Sequence, residues 1–391
     1  MKSRLFTGIL LIMAIISNTA LAQKDIIITW EKVTPIPPAS GEPVQYGVAG
    51  ALVGFSNGLL IVAGGANFGD SVPWRGGKKH YHDEIFILAP SPGEGKWEQS
   101  EIRLPHPVAY PSCVSFANRL ICMGGEDEAG PLSQVISLEH ASGNIRIKQL
   151  NPLPQPVTSG GAALIGSIVY LAGGAGKSGA LDEFYSADLN REELEWITLP
   201  KLPVPLSNAV VVSQSDGTEP CVFVVGGRNK TGVISKFYPD IWKYSPSEMK
   251  WTKAGELVSS SGEPLGLSAG TGVAAGKNHI ILFGGDRGFV FNRTEQLLDA
   301  IAKTANEEEK QKLIREKNSG LENHPGFLRT VFDYNTITGK TTRLAEIPGP
   351  RQVTTIAAIF GNSVYIPSGE IRPGIRTPAV TKAVIHIKDQ N

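Results

Sequence analysis

Five times along this chain an apolar run ends in a pair of glycines: Ile61-Val62-Ala63-Gly64-Gly65, Ile121-Cys122-Met123-Gly124-Gly125, Tyr170-Leu171-Ala172-Gly173-Gly174, Phe223-Val224-Val225-Gly226-Gly227 and Ile281-Leu282-Phe283-Gly284-Gly285. A sixth, degenerate copy reads Val364-Tyr365-Ile366-Pro367-Ser368-Gly369, and successive copies lie 60, 49, 53, 58 and 84 residues apart. Another apolar run precedes each pair, joined to it by turn residues such as Ser56-Asn57-Gly58, Ala117-Asn118-Arg119, Gly276-Lys277-Asn278 or Gly361-Asn362-Ser363. Two β-type runs around a short polar turn read as a hairpin. A third strand follows, and then, in three units, a tryptophan: Lys96-Trp97, Glu195-Trp196 and Lys250-Trp251. Proline-rich connectors such as Leu104-Pro105-His106-Pro107 come next, where a fixed φ is useful and no ladder donor is needed.

Each unit therefore holds about four strands in ~50 residues, the period of a kelch-type propeller blade. Six units predict an all-β chain folded as a six-bladed β-propeller over residues 23–391. The last unit ends on Ala383-Val384-Ile385-His386-Ile387 without its tryptophan strand, and an orphan strand of that kind, Ile26-Ile27-Ile28-Thr29-Trp30, stands at the front. The N-terminal strand is expected to complete the sixth blade, which leaves no long sheet edge unpaired. One interval breaks the period. After Gly284-Gly285 the third strand is delayed to about 327–333, and residues 294–318 read as a helical insertion, with Leu297, Leu298 and Ile301 on one face and Asp299–Lys303 and Glu308–Lys312 as favourable i,i+4 pairs. Insertions in repeat proteins gather on one face, often the binding face, so this one is expected to wall a central depression; the alternative is a solvated excursion.

Composition agrees with a turn-rich globular chain: 44 glycines and 27 prolines in 391 residues, with only 19% charged residues. Lys+Arg and Asp+Glu balance at 37 each, so no basic field exists for a nucleic-acid backbone. Lys2 and Arg4 precede an apolar run from Leu5 to Ile16, and Ala20-Leu21-Ala22 offers small residues for cleavage. Residues 1–22 are expected to be a secretory signal, the run being too short to span a bilayer. The expected location is the periplasm, with no membrane attachment after cleavage. Removing Lys2 and Arg4 from 37 leaves 35 basic against 37 acidic residues. Three cysteines, Cys113, Cys122 and Cys221, lie in β-type runs and read as buried small hydrophobes, with a Cys113–Cys122 bridge as the alternative.

The residues after each glycine pair fall on one loop face, together with the connectors that lead into each innermost strand. That face gathers Asn67, Phe68, Glu126, Asp127, Arg228, Asn229, Asp286, Arg287, Glu370, Arg372 and Arg376, and from the connectors Tyr46, Tyr110, Asn208, Arg351 and Gln352. Loops around an axial depression make a natural small-molecule site. His80 and His82 share a strand face, but no third ligand has suitable spacing, so no metal site is expected.

Gly369-Glu370-Ile371-Arg372-Pro373-Gly374-Ile375-Arg376-Thr377 resembles the Gly-Glu-x-x-Pro-Gly-x-Arg-Thr signature of the bacterial N-acetylneuraminate epimerases, the sialic acid mutarotases, which are periplasmic six-bladed kelch propellers. Ala63-Gly64-Gly65-Ala66-Asn67-Phe68 with Gly76-Gly77-Lys78-Lys79 is similar to another of that family's blades, and the helical insertion is similar in place and character. The family's glutamate blade usually lies mid-chain and here it is last, so the order looks cyclically permuted, which a propeller tolerates because its termini meet within one blade. The resemblance implies that Glu370 is the catalytic acid/base and Arg376 a substrate-binding partner.

Residue chemistry supports those roles. Exchanging the anomers of a 2-keto sugar acid takes a proton from the anomeric hydroxyl and delivers one to the ring oxygen, which one carboxyl group with water can do without metal or cofactor. A guanidinium suits the substrate's carboxylate. Arg351, Asp286 and Arg287 are further candidates for the pocket. The competing readings are a structural Glu370–Arg376 ion pair and a non-catalytic kelch propeller that binds glycan or protein on its loop face.

Overall fold

In a computed structural model the described residues are 26–91, 93 and 95–388; the expected signal sequence, residues 1–22, lies outside them. Six four-stranded antiparallel sheets follow one another around an axis. In the first blade the strands run outward in the order Leu52–Ser56, Leu59–Ala63, Ile85–Leu88 and Trp97–Gln99. Blades two to five repeat this order with inner strands Ser112–Phe116, Gly161–Ile165, Val210–Ser215 and Thr271–Ala275. The sixth is closed as the sequence predicts: Ala358–Phe360, Ser363–Pro367 and Val380–Ile387 are followed outward by the N-terminal strand Ile26–Glu31. Among the described residues no helix is long and apolar enough to cross a membrane.

The glycine pairs have a backbone cause. Both members of every pair have positive φ, and the second lies between +92° and +118°, a region that side chains with a Cβ rarely enter. The degenerate sixth copy keeps Gly369 at that second position and puts Ser368, φ +54°, at the first. Ser368 is fully buried, its Oγ accepting from Val48 N–H at 2.7 Å and sharing its one proton between the carbonyls of Val48 and Thr377, so the serine ties the blade to the connector that leads into blade one.

The recurrent tryptophans also have a common role. Indole Nε1 of Trp97, Trp196 and Trp251 donates to the carbonyls of Thr34, Asn151 and Pro200 at 2.7, 3.2 and 2.8 Å, pinning each outer strand to a connector. The core lies between blades; where the third meets the fourth, Tyr170, Phe184, Tyr244 and Trp251 pack ring against ring with centroid separations of 4.8–6.2 Å. Cys113 and Cys122 face each other across one blade as free thiols with sulfurs 3.4 Å apart, and Cys221 is buried and free.

The insertion between the second and third strands of blade five forms two helices, α1 (Phe289–Lys303) and α2 (Glu307–Glu322), broader than the 294–318 read from the sequence. Asn306 caps α2 by accepting from Glu309 N–H at 3.0 Å, with three glutamates in the first turn to complement the helix dipole. The predicted Asp299–Lys303 pair forms at 2.8 Å.

Candidate active site

The loop face is organised by two rings of equivalent residues. The residues just after the paired positions are Ala66, Glu126, Ala175, Arg228, Asp286 and Glu370, and each makes an antiparallel bridge to a connector residue: Ala49, Ala109, Thr158, Ser207, Ser268 and Val353. One residue beyond each bridge come Gly50, Tyr110, Ser159, Asn208, Ala269 and Thr354, all with φ between +52° and +65°. Each of these six donates its N–H to the carbonyl of its counterpart in the preceding blade, at 2.7–2.9 Å, and the chain of bonds closes on itself. A left-handed conformation costs about 1–2 kcal/mol for a residue with a Cβ; the ring satisfies twelve axial backbone groups that would otherwise face the channel. Below it the inner strands line an axial cavity of about 390 Å³. The ring thus forms the floor of the loop face.

Glu370 stands on this floor. Its backbone exchanges both hydrogen bonds with Val353, and the short hairpin Glu370–Arg372 with Ile375–Arg376 sets Glu370 directly opposite Arg376. Pro373-Gly374 makes the turn, with Gly374 at φ +72°. Carboxylate Oε1 accepts from Gly374 N–H at 2.8 Å and from Arg376 Nη1 at 3.1 Å, while Oε2 has no hydrogen-bond partner among the described residues. The Arg376 side chain is 5% exposed and that of Glu370 19%. The guanidinium lies over the Phe68 ring at 4.8 Å, and its buried Nε finds no partner among the described residues.

The sequence model of the N-acetylneuraminate epimerase family matches residues 13–147 and 151–391. This chain belongs to that family. Among curated N-acetylneuraminate epimerases, that of Salmonella typhimurium is 26% identical over 238 residues, 60% of this chain and 58% of the relative. That of Haemophilus influenzae is 28% identical over 227 residues, 58% and 56% of the two chains. A Salmonella enteritidis relative is 36% identical over 131 residues, 31% of this chain and 33% of its own. The matched stretches thus span at most a little over half the length of these relatives.

Around Glu370 this epimerase-family member arranges the rest of the rim unevenly. Asp286 occupies the ring position of the neighbouring blade, its Oδ1 accepting from Gly288 N–H at 2.9 Å just ahead of α1. Arg287 turns outward and stacks on the exposed Phe289 at 4.8 Å. Arg351 donates to the carbonyls of Pro325 and Phe327 at 2.9 and 3.1 Å, fixing the end of the insertion. The structure therefore groups Glu370, Arg376 and Asp286 at the floor; it commits Arg351 to the chain beside them and Arg287 to the surface.

Two residues that the sequence places on the loop face without a role also border the site. Arg228 lies over the Phe291 ring of α1 at 4.5 Å; burial depresses its guanidinium below the ordinary value, while the charges of Asp286, Glu295 and Glu370 act the other way. Its hairpin is stitched to α1 by Asn292, which exchanges two 2.9 Å bonds with the backbone of Ser235. Glu126 is the second glutamate of the ring, and its Oε1 accepts from Lys79 Nζ at 2.6 Å and Tyr81 Oη at 2.9 Å, its Oε2 from Thr158 Oγ1 at 3.1 Å. The far end of the insertion reaches the same rim: Trp74 and Arg75 donate to Glu322 of α2 at 3.3 and 2.7 Å, and Pro73 and Trp74 also pack against Gly374.

Proposed function

We propose that this protein is a mutarotase that exchanges the α and β anomers of N-acetylneuraminate, with Glu370 as the acid/base. The observation that carries the reading is the asymmetric carboxylate. Oε1 is anchored by Gly374 and Arg376, and Oε2 is left without a partner among the described residues. A general base needs both features, a fixed orientation and an oxygen with a lone pair available to a substrate proton. Glu370 takes the proton of the anomeric hydroxyl, the O–H electron pair becomes the second bond of the C2 ketone, and the ring C–O pair passes to the ring oxygen. The proton returns to that oxygen, the open chain turns about the bond to C2, and closure on the other face reverses the steps. Arg376 has the charge and planarity for the carboxylate next to the reacting carbon. Periplasmic secretion through residues 1–22 belongs to the same proposal, since it would place the enzyme where sugar acids arrive from outside.

The test is an anomer-resolved NMR time course on freshly released α-N-acetylneuraminate. Glu370→Gln keeps size and hydrogen bonding but cannot cycle a proton, and should lose about 10²–10⁴-fold in exchange while still binding the sugar acid by calorimetry. Arg376→Lys keeps charge but loses the fork, and should weaken binding of the sugar acid first, leaving weakly accepted neutral aldoses nearly unaffected. Full activity in Glu370→Gln would remove the enzyme reading of this site and favour a binding propeller. Collapse of the melting curve in either variant would point to a structural ion pair.

A further inference from the structure

His324 has no assigned role, and its surroundings are those of a working side chain. It lies just beyond α2 and is only 7% exposed. Nδ1 accepts from Gly326 N–H at 3.0 Å, so in the neutral ring the proton sits on Nε2. Nε2 has no partner among the described residues, yet it is not one of the sealed, unsatisfied nitrogens, as His82 Nε2 is. The little exposure the residue retains therefore includes its N–H donor. Burial lowers the imidazole's proton affinity; Asp286 opposes this and Arg372 adds to it, and the balance lies below the ordinary value of 6.5. Those two charges belong to the floor position beside Glu370 and to the Glu370 hairpin itself.

The segment is held rigidly at three points. Glu322 is tied to Trp74 and Arg75, whose loop also packs against Gly374. Arg351 grips the carbonyls of Pro325 and Phe327. Phe327 carries the His324 ring at 5.0 Å and packs into a cluster with Ala269 of the floor ring and Val353, the backbone partner of Glu370. A helical insertion that needed only to return to its strand would require none of this around a histidine.

We propose that His324 is a further catalytic residue, a neutral imidazole whose Nε2–H hydrogen-bonds the substrate's ring oxygen as the ring C–O bond opens. This rests on the mutarotase reading above. Two oxygens change charge in that step. Glu370 serves the anomeric one, and the ring oxygen gains an electron pair before a proton reaches it. Nothing is lost from His324: the proton is still the one that Glu370 took and returns, and the imidazole stabilises the oxygen in the interval, as a preorganised donor does in an oxyanion hole.

Two variants separate this role from a structural one. In His324→Asn the amide oxygen Oδ1 falls where Nδ1 was and can still accept from Gly326 N–H, but no donor remains at the Nε2 position. His324→Gln places an N–H near Nε2 and gives up the bond to Gly326. With exchange measured by NMR, H324N should lose about 10²-fold in kcat with KM within a few-fold of wild type and an unchanged melting curve, whereas H324Q should stay within about tenfold of wild type. Wild-type kcat in H324N would overturn the proposal, as would the reverse ranking, with H324Q the more impaired and less stable of the two. If both fail equally through KM or through folding, His324 only shapes the pocket and the proposal falls. The mutarotase reading is judged separately, on wild type against Glu370→Gln, and survives any of these results.

Discussion

A methyl group at Gly374 should weaken the chemistry far more than the fold. Gly374 has φ +72°, and a Cβ built there lies 2.8 Å from Pro73 Cδ and 3.2 Å from Trp74 Cζ3. An L-residue in that conformation costs about 1–2 kcal/mol, and an overpacked methyl about 1–3 kcal/mol more. The turn lies at the rim, so it can relieve most of this by moving a few tenths of an ångström. That movement displaces the base, because Gly374 N–H is one of the two donors that fix Glu370 Oε1, at 2.8 Å. A hydrogen bond to a charged group is worth about 1.5–3 kcal/mol, and each ~1.4 kcal/mol is a factor of ten in rate. Gly374→Ala should therefore slow anomer exchange by roughly 10–100-fold. The melting temperature should fall by only a few degrees, because about 1 kcal/mol moves Tm by about 2–4 °C even in chains about half this length and by less in a longer one. NMR exchange rates, calorimetric binding and a thermal melt on the same preparation decide it. Unchanged exchange in a variant that folds and melts as expected would refute the idea that the Gly374 donor orients the base.

Two further predictions concern the scaffold. Deleting residues 26–31 leaves Val380–Ile387 as a bare edge and uncovers Phe283 from its edge contact with Trp30, so the variant should associate in a concentration-dependent way by light scattering; a stable monomer would show that closure of the sixth blade does not depend on this strand. Glu84 is held down to about 2, chiefly by its hydrogen bond with His82 against the opposing effect of burial, so it stabilises the fold above its unfolded value of 4.5 and that contribution disappears as pH falls through 4.5 towards 2. Glu84→Gln should therefore lower the melting temperature at pH 7, by at most about 3 kcal/mol of stability, and narrow the difference between melts at pH 7 and pH 3; an unnarrowed difference contradicts the assignment.

The propeller was legible because its turns are demanding. A backbone that needs positive φ at two consecutive residues selects glycine, and five Gly-Gly pairs plus Ser368-Gly369 make that demand visible without coordinates. The outer tryptophans were legible for a similar reason, each filling the same contact with a connector carbonyl. The site was legible only in part. Glu370 and Arg376 sit across a short hairpin, a separation the sequence displays. Which way a loop arginine turns is set by neighbours from other blades: Arg351 is captured by carbonyls that the insertion brings back, and Arg287, next in chain to Asp286, leans outward on Phe289. His324 was hidden for the same reason, since it comes to lie against Phe327 only through the return path of two helices. The histidine just after a helix and before Pro325-Gly326 was the one available hint.

Near six-fold repetition puts two glutamates in the same backbone position with different side-chain surroundings. The scaffold offers the same floor position six times and fills it with Ala66, Glu126, Ala175, Arg228, Asp286 and Glu370. Glu126 and Glu370 begin from the same backbone geometry. Glu126 is then held at both oxygens: Lys79 and Tyr81 bond Oε1, Thr158 bonds Oε2, and Lys79 is itself held between the rings of Tyr81 and Tyr110. Three of the Glu126 carboxylate's roughly four acceptor positions are taken, against two for Glu370, whose Oε2 is bonded to nothing among the described residues. Glu370 has its two donors on one oxygen, because the Pro373-Gly374 turn brings the backbone N–H and the Arg376 guanidinium to the same side. The difference between the two carboxylates in this ring is thus a difference in the hairpin that follows each. Asp127 through Gly130 close a turn without an arginine at its end, and Ile371 through Ile375 close one that delivers Arg376.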